Sequence, residues 1–162
     1  MTPLEEVLSG RDERAACQKR MLASREGAFV CQIGLNVPGF PKRVPGDITI
    51  IKDCRRFLLA CAGAAPFEEH YLDNGAGLCW QGAFDGKSYD AGALKRAAVE
   101  AENSMEAGRI LDIDVHTAEG QLSRLDMGLL PRRCLVCGES AKACARAGTH
   151  DPAELRELVI RI

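Results

Sequence analysis

Asp112 and Asp114 interrupt a segment, Gly108-Arg109-Ile110-Leu111-Asp112-Ile113-Asp114-Val115, whose other residues suit a buried strand. On a strand, residues two apart face the same way, so both carboxylates leave one face, about 7 Å apart along the chain. Two bare anions so close repel each other; one must be protonated, well hydrated or shared with a cation. A divalent metal resolves the conflict best, and carboxylate-held Mg²⁺ is the usual partner of substrate phosphates. The apolar Ile110, Ile113 and Val115 surround the acidic pair, so the strand's polar face is short and local.

A chain of 162 residues fits one domain. With 46% hydrophobic and 27% charged residues it reads as globular. A net charge of −2 and a pI near 5.9 argue against a general nucleic-acid binder. Positive charge is nonetheless uneven: Arg124, Arg132, Arg133, Lys142 and Arg146 outnumber Asp126 and Glu139 in their stretch, which allows a local anion site. No segment approaches the roughly 18–20 apolar residues of a membrane span, and Met1 to Gly10 lacks a signal pattern. The expectation is a cytoplasmic protein whose eight cysteines are reduced thiols.

The order of elements predicts an α+β fold. Met1 to Arg25 reads as helix, with Leu4, Val7 and Leu8 in one apolar stripe, a break at Ser9-Gly10, and Ala15, Ala16, Met21 and Leu22 in another. Phe29 to Val37 reads as a strand ended by a Pro/Gly loop. Asp47 caps a helix to about Ala62. A hairpin of 68–72 and 78–84 turns at Asp73-Asn74-Gly75. Tyr89 to Glu106 is helical, with Gly108 as terminator. Arg109 to His116 and Gln121 to Leu125 form a second hairpin, and a Cys-containing knot precedes a last helix from Asp151. The expectation is a single domain, 1–162, with a mixed or antiparallel sheet of about five strands flanked by helices. Its core order, βαββαβ plus an extra hairpin strand, is the split βαβ or ferredoxin-like plan. Residues 1–26 form an N-terminal helical segment and 131–162 a Cys/His-containing one.

Spacing alone favours a solvated strand face for Asp112 and Asp114; Arg109 and Arg124, on the two arms of their hairpin, favour a metal with phosphates. Glu100 or Glu102 is available as a third carboxylate. Arg11-Asp12-Glu13-Arg14 is either a solvated helix face or an Arg clamp on a polyphosphate. Lys42, Arg43 and Lys95 are phosphate ligands or surface charges, and His116 is a base or a strand-end residue. Cys134-x2-Cys137-x6-Cys144-x5-His150 offers three thiolates and an imidazole, the Cys₃His set of structural zinc sites, although the Cys-x5-His limb is wide for a standard finger. Cys17, Cys31, Cys54, Cys61 and Cys79 fall on apolar faces and are expected in the core, as are Trp80 and Tyr71.

Several of these motifs, in order, carry a resemblance: Ser9-Gly10-Arg11-Asp12-Glu13-Arg14; Asn36-Val37-Pro38-Gly39 with Lys42; Gly108-Arg109 running to Asp112-Ile113-Asp114-Val115; Leu122-Ser123-Arg124; Pro131-Arg132-Arg133-Cys134-Leu135 with Cys137; and Cys144-Ala145-Arg146 with His150. The chain resembles the apo-citrate lyase phosphoribosyl-dephospho-CoA transferases, also called citrate lyase holo-acyl-carrier-protein synthases. The resemblance implies a nucleotidyl-type transfer. A serine of the citrate lyase acyl carrier (γ) subunit attacks the α-phosphorus of 2′-(5″-triphosphoribosyl)-3′-dephospho-CoA, and diphosphate leaves. By analogy with the Asp-x-Asp carboxylates of nucleotidyltransferases generally, Asp112 and Asp114 are expected to hold Mg²⁺, with donor phosphates on Arg11, Arg14, Lys42, Arg109 and Arg124; the positive charge of Arg132 and Arg133 suits docking of an acidic carrier or packing on the Cys knot. Neither nucleic acid nor membrane is an expected partner. Members of that family often carry His-Pro before the Gly-Arg, where this chain has Met105-Glu106, and the Gly-Ser signature of many nucleotidyltransferases is absent. Two other readings fit the residues: a holo-synthase for another carrier, such as that of malonate decarboxylase, and a zinc-stabilised interaction module without catalysis.

Overall fold

The computed structural model describes all 162 residues. Helix α1 (Pro3–Ser24) leads into β1 (Phe29–Leu35), α2 (Asp47–Ala62), β2 (Glu68–Asn74), β3 (Gly77–Phe84), α3 (Ala91–Ser104), β4 (Leu111–Thr117) and β5 (Gly120–Leu122). A 3-10 turn (Leu125–Met127), α4 (Ala141–Ala147) and α5 (Pro152–Arg161) follow. The five strands form one sheet in the order β2-β3-β1-β4-β5, with every neighbouring pair antiparallel. This is the expected βαββαβ arrangement, with β5 added at the β4 edge. No helix is long and apolar enough to cross a membrane.

Strand alternation divides the sheet into two chemically different faces. Phe29, Cys31 and Ile33 of β1, Leu78, Trp80 and Phe84 of β3, and Leu111, Ile113 and Val115 of β4 are buried in one core with Ile51, Cys54 and Leu58 of α2 and Leu94, Ala98 and Ala101 of α3. Each large apolar side chain buried there contributes about 1.5–3 kcal/mol. The opposite face is covered by α1, and only its C-terminal half is apolar: Met21, Val30 and Ala83 are buried there, with Cys17, Leu22 and Phe67 against them. The rest of the helix holds Arg11, Arg14 and Gln18 over the sheet.

Helix α1 begins with a capping box in which the Thr2 hydroxyl accepts from Glu5 N–H while the Glu5 carboxylate accepts from Thr2 N–H. It does not break at Ser9-Gly10. Gly10 is inside the helix because the β2–β3 turn packs on it, with Asn74 Nδ2 donating to Gly10 O at 3.2 Å. Of the first expected apolar stripe only Val7 is buried; Leu4 and Leu8 face solvent. The hydrophobic periodicity of this helix is weak because its face serves a polar cleft as well as a core. Cys61 and Tyr71 are likewise exposed and Cys17 is half-buried, whereas Cys31, Cys54, Cys79 and Trp80 are core as expected. Tyr71 sits on β2, an edge strand that α2 covers incompletely.

A methyl group added at Gly10 would overlap the Asn74 side chain and lie 2.6 Å from the backbone nitrogen of Ala76. Overpacking against backbone costs about 1–3 kcal/mol, which outweighs the roughly 1 kcal/mol helix-propensity gain. Gly10→Ala is therefore expected to lower the thermal unfolding midpoint by a few degrees; an unchanged or higher midpoint would show that the turn does not seat on α1.

Candidate active site

Asp112, Asp114 and His116 leave β4 on the α1 face, opposite Gly34, Gln32 and Val30 of β1. They line a cleft of about 280 Å³ with Arg11, Arg14 and Gln18 of α1 and with Asn36, Val37 and Lys42 after β1. The sequence thus brings the acidic pair, two of the α1 cations and the Pro/Gly loop to one place. The exposed Asp112 carboxylate accepts no hydrogen bond within the chain, whereas that of Asp114 accepts from Gln121 Nε2 at 2.7 Å. Burial, and then the charge of Asp112, push the Asp114 carboxyl up to about 6. Burial, followed by the charge of Lys95, lowers the pKa of His116 and favours the neutral imidazole. Lys95 itself is buried, donates to Ile113 O at 3.2 Å so that it braces β4, and lines the cleft at the β4–β5 edge beside the acidic pair.

The cations are disposed to receive an anion. Arg11, Arg14, Lys42, Arg109, Arg132 and Arg133 have no carboxylate within 4.0 Å, although seven other arginines of the chain are ion-paired. Lys42 has its pKa lowered by desolvation and then by Arg11 and Arg156, a crowding of like charge that a bound anion would relieve. Arg14 uses Nη2 to hold the carbonyls of Ala76 and Gly77, both at 2.9 Å, and its Nη1 lies over Gly34. Its buried Nε–H has no partner. Beneath it, fully buried Gln81 donates from Nε2 to Arg14 O at 3.0 Å and to Gln32 Oε1 at 2.7 Å, which fixes the cleft floor and leaves the Gln32 amide hydrogens uncommitted.

Asp112 and Asp114 also border a second cleft of about 500 Å³ at the β4–β5 edge, with Glu102, Arg124, Arg132 and Lys142. Arg124 lies here but is ion-paired with buried Glu102, so its charge is largely committed. Glu102 stands near enough to raise the Asp114 pKa, while Glu100 is exposed elsewhere. Arg109 donates to Cys134 O at 2.8 Å, and Arg132 donates to Gly108 O and Arg109 O at 3.1 and 2.7 Å. Both line a third cleft of about 310 Å³ beside the knot, with Lys42 and Arg133. Asn36 borders all three clefts. Arg43 is paired with Asp47 and Asp73 and faces away from the acidic pair.

The ligand atoms of Cys134, Cys137, Cys144 and His150 lie within 4.8 Å of one another, a set able to hold a metal ion. Cys137 Sγ is 3.2 Å from Cys144 Sγ, which is 3.8 Å from His150 Nε2. Donation from Val136 and Cys137 backbone N–H groups brings the Cys134 thiol down to about 6. The short hairpin bearing Cys134 and Cys137 is closed by a bridge between Arg133 and Ser140, and Ser140 caps α4, which carries Cys144.

A profile of the family described as apo-citrate lyase phosphoribosyl-dephospho-CoA transferase matches residues 2–162. The chain belongs to this family. It is 34% identical over 160 residues to the Shigella flexneri serotype 5b protein of that name, covering 94% of this chain and 83% of the relative. It is 33% identical over 164 residues to Protein CitXG of Haemophilus influenzae, covering 98% of this chain and 34% of the relative. Protein CitXG of Leuconostoc mesenteroides subsp. cremoris is 32% identical over 159 residues, covering 93% of this chain and 32% of the relative. The chain thus spans about a third of the length of the two CitXG proteins.

Gln32 and Gln121 line these clefts, and Arg156 adds charge beside Lys42, without having been singled out in the sequence. Gln32 and Gln81, polar residues inside apolar strands, carried a readable signal; Gln121 and Arg156 did not.

Asp114 gives a pH signature with a definite sign. Its carboxyl is ordinarily near 3.9 and stands at about 6 in the fold. Between those values the folded chain retains a proton that the unfolded chain has released, so stability falls as pH rises from about 4 to about 6 and stays reduced above. The cost at pH 7 is on the order of 1–3 kcal/mol. Asp114→Asn is therefore expected to unfold at higher denaturant than the parent at pH 8, the difference closing at pH 4; a variant less stable than its parent at pH 8 contradicts this.

Proposed function

We propose that this chain transfers the 2′-(5″-phosphoribosyl)-3′-dephospho-CoA group from its triphosphoribosyl donor to a serine of the apo-citrate lyase acyl carrier subunit. The observation that carries the reading is the pairing, across one cleft, of two mutually repelling carboxylates with cations that lack carboxylate partners. Polyphosphate with a divalent cation satisfies both halves at once. The names of the relatives supply the donor and acceptor class.

Asp112 and Asp114 fit Mg²⁺: they share one face, Gln121 fixes one of them, and a bound cation would relieve their repulsion. When bound, Mg²⁺ would neutralise the phosphate oxygens and the diphosphate leaving group. Arg11, Arg14 and Lys42 hold the phosphate chain from the α1 side, and Arg109 extends the row toward the knot. Arg124 positions Glu102 beside the acidic pair and adds less to phosphate binding. The serine Oγ forms the new bond to the α-phosphorus, the bond from that phosphorus to the diphosphate oxygen breaks, and the serine proton passes to a carboxylate oxygen of Asp112 or Asp114. In the same reading the Cys/His cluster takes Zn²⁺, which three thiolates and an imidazole suit. Eight unbridged cysteines fit the cytoplasm.

Arg133 is the exposed cation at the mouth for an acidic carrier, whereas Arg132 is held by two backbone carbonyls. Arg133→Ala is expected to raise the apparent KM for the carrier several-fold, more at low salt, without changing the KM for the donor; an unchanged carrier KM at low salt rejects docking there.

Intact mass of the carrier after incubation with donor and Mg²⁺ tests the reaction. Wild-type protein is expected to add the donor mass less diphosphate, and Asp112→Asn and Asp114→Asn to lose roughly a hundredfold or more in rate while remaining folded. Near-normal turnover by both variants would remove the carboxylates from the mechanism.

A further inference from the structure

Between Ser123 and Asp151 the only buried side chains are Cys134 and Cys144. A segment of this length without an apolar core does not order itself by burial, and structural metals commonly supply the missing free energy. The four ligand atoms already lie together, near the roughly 3.5–3.8 Å spacing of a tetrahedral zinc site with bonds of about 2.0–2.3 Å.

Helix α5, which follows this segment directly, is fastened to the loop that carries Lys42. Arg156 of α5 donates to the carbonyls of Pro38 and Pro41 at 3.0 and 2.7 Å and lies 3.4 Å from Arg43 O. Val159 of α5 packs with Val37, Val44 and Ile110, and Leu135 of the knot lies against them. Lys42 in turn donates to Val37 O at 2.7 Å. On the other side Arg109 and Arg132 join the knot to the start of β4 through backbone carbonyls. Arg109 and Arg132 are thus spent on contacts between the knot and the residues before β4, and Arg156 on carbonyls of the Lys42 loop.

We propose that one Zn²⁺ at Cys134, Cys137, Cys144 and His150 is the tie that sets the cation wall of the donor site, with Arg156 as the positioning residue between the knot and the Lys42 loop. The inference rests on the cleft being a polyphosphate site. Zinc does no chemistry in it; the ion fixes where Lys42 and Arg109 stand, and so governs affinity for a diphosphate group.

The test uses the full chain, elemental analysis, hydrogen exchange and inorganic diphosphate with Mg²⁺ as probe. One zinc per chain is expected as isolated. Stripping zinc with a chelator, then removing the chelator, is expected to speed amide exchange in 36–44 and 107–110 while β1 and β3 stay protected. Diphosphate affinity should fall roughly tenfold, the scale of one charge-assisted hydrogen bond. Arg156→Gln is expected to retain zinc yet show the same loosening of 36–44. Absence of zinc, or unchanged exchange in 36–44 after its removal, overturns the proposal; so does an Arg156→Gln variant whose loop stays protected. Exchange does not depend on turnover, so a failure of the transfer reaction would leave that result intact and be recognised separately. If diphosphate does not bind even the zinc-loaded protein, the donor-site reading fails while the tie is still decided by exchange.

Discussion

Two carboxylates on alternate residues of β4 cannot be separated without breaking the strand, and the core demands that the strand stay. Leu111, Ile113 and Val115 are anchored against α2 and α3, so Asp112 and Asp114 are driven onto the other face by geometry alone. There Asp114 is partly desolvated beside a second anion, and its carboxyl stands near 6. The fold accepts that penalty at one point. The other features of the α1 face follow from it: an apolar contact restricted to the C-terminal half of the helix, a glutamine floor, and a row of cations without carboxylate partners.

The division of α1 explains how one helix both covers a sheet and opens a site. Cys17, Met21 and Leu22 close the far end, while Arg11 and Arg14 span the near end at roughly helical spacing, i and i+3. Gly10 is the close approach that makes this possible, seating the β2–β3 turn on the helix.

Much of this arrangement was legible in the chain. The βαββαβ order, the extra hairpin strand, the acidic face of β4 and the Cys/His set all follow from local period and spacing, because each is fixed within a few residues. What escaped was set by partners distant in sequence. Continuity of α1 through Gly10 depends on Asn74, sixty-four residues away. Arg124 looked free on its hairpin and is taken by Glu102 from α3. Arg132 looked like an outward cation and is held by Gly108 and Arg109. Arg156 gave no signal, since its partners are backbone carbonyls of a loop more than a hundred residues earlier. The long cationic side chains were the least predictable part of the site, because their reach lets tertiary contacts decide their use.

If the acidic pair and the α1 cations form one site, metal and diphosphate must bind with reciprocal coupling. The direct measurement is the affinity for Mn²⁺, followed by its paramagnetic signal, with and without inorganic diphosphate, in the wild-type chain and in Asp112→Asn. The account predicts tighter Mn²⁺ binding to the protein in the presence of diphosphate, beyond what free metal–diphosphate complexes explain, and loss of that gain in the variant. Mn²⁺ binding that is indifferent to diphosphate, or a gain that survives Asp112→Asn, would contradict a shared site.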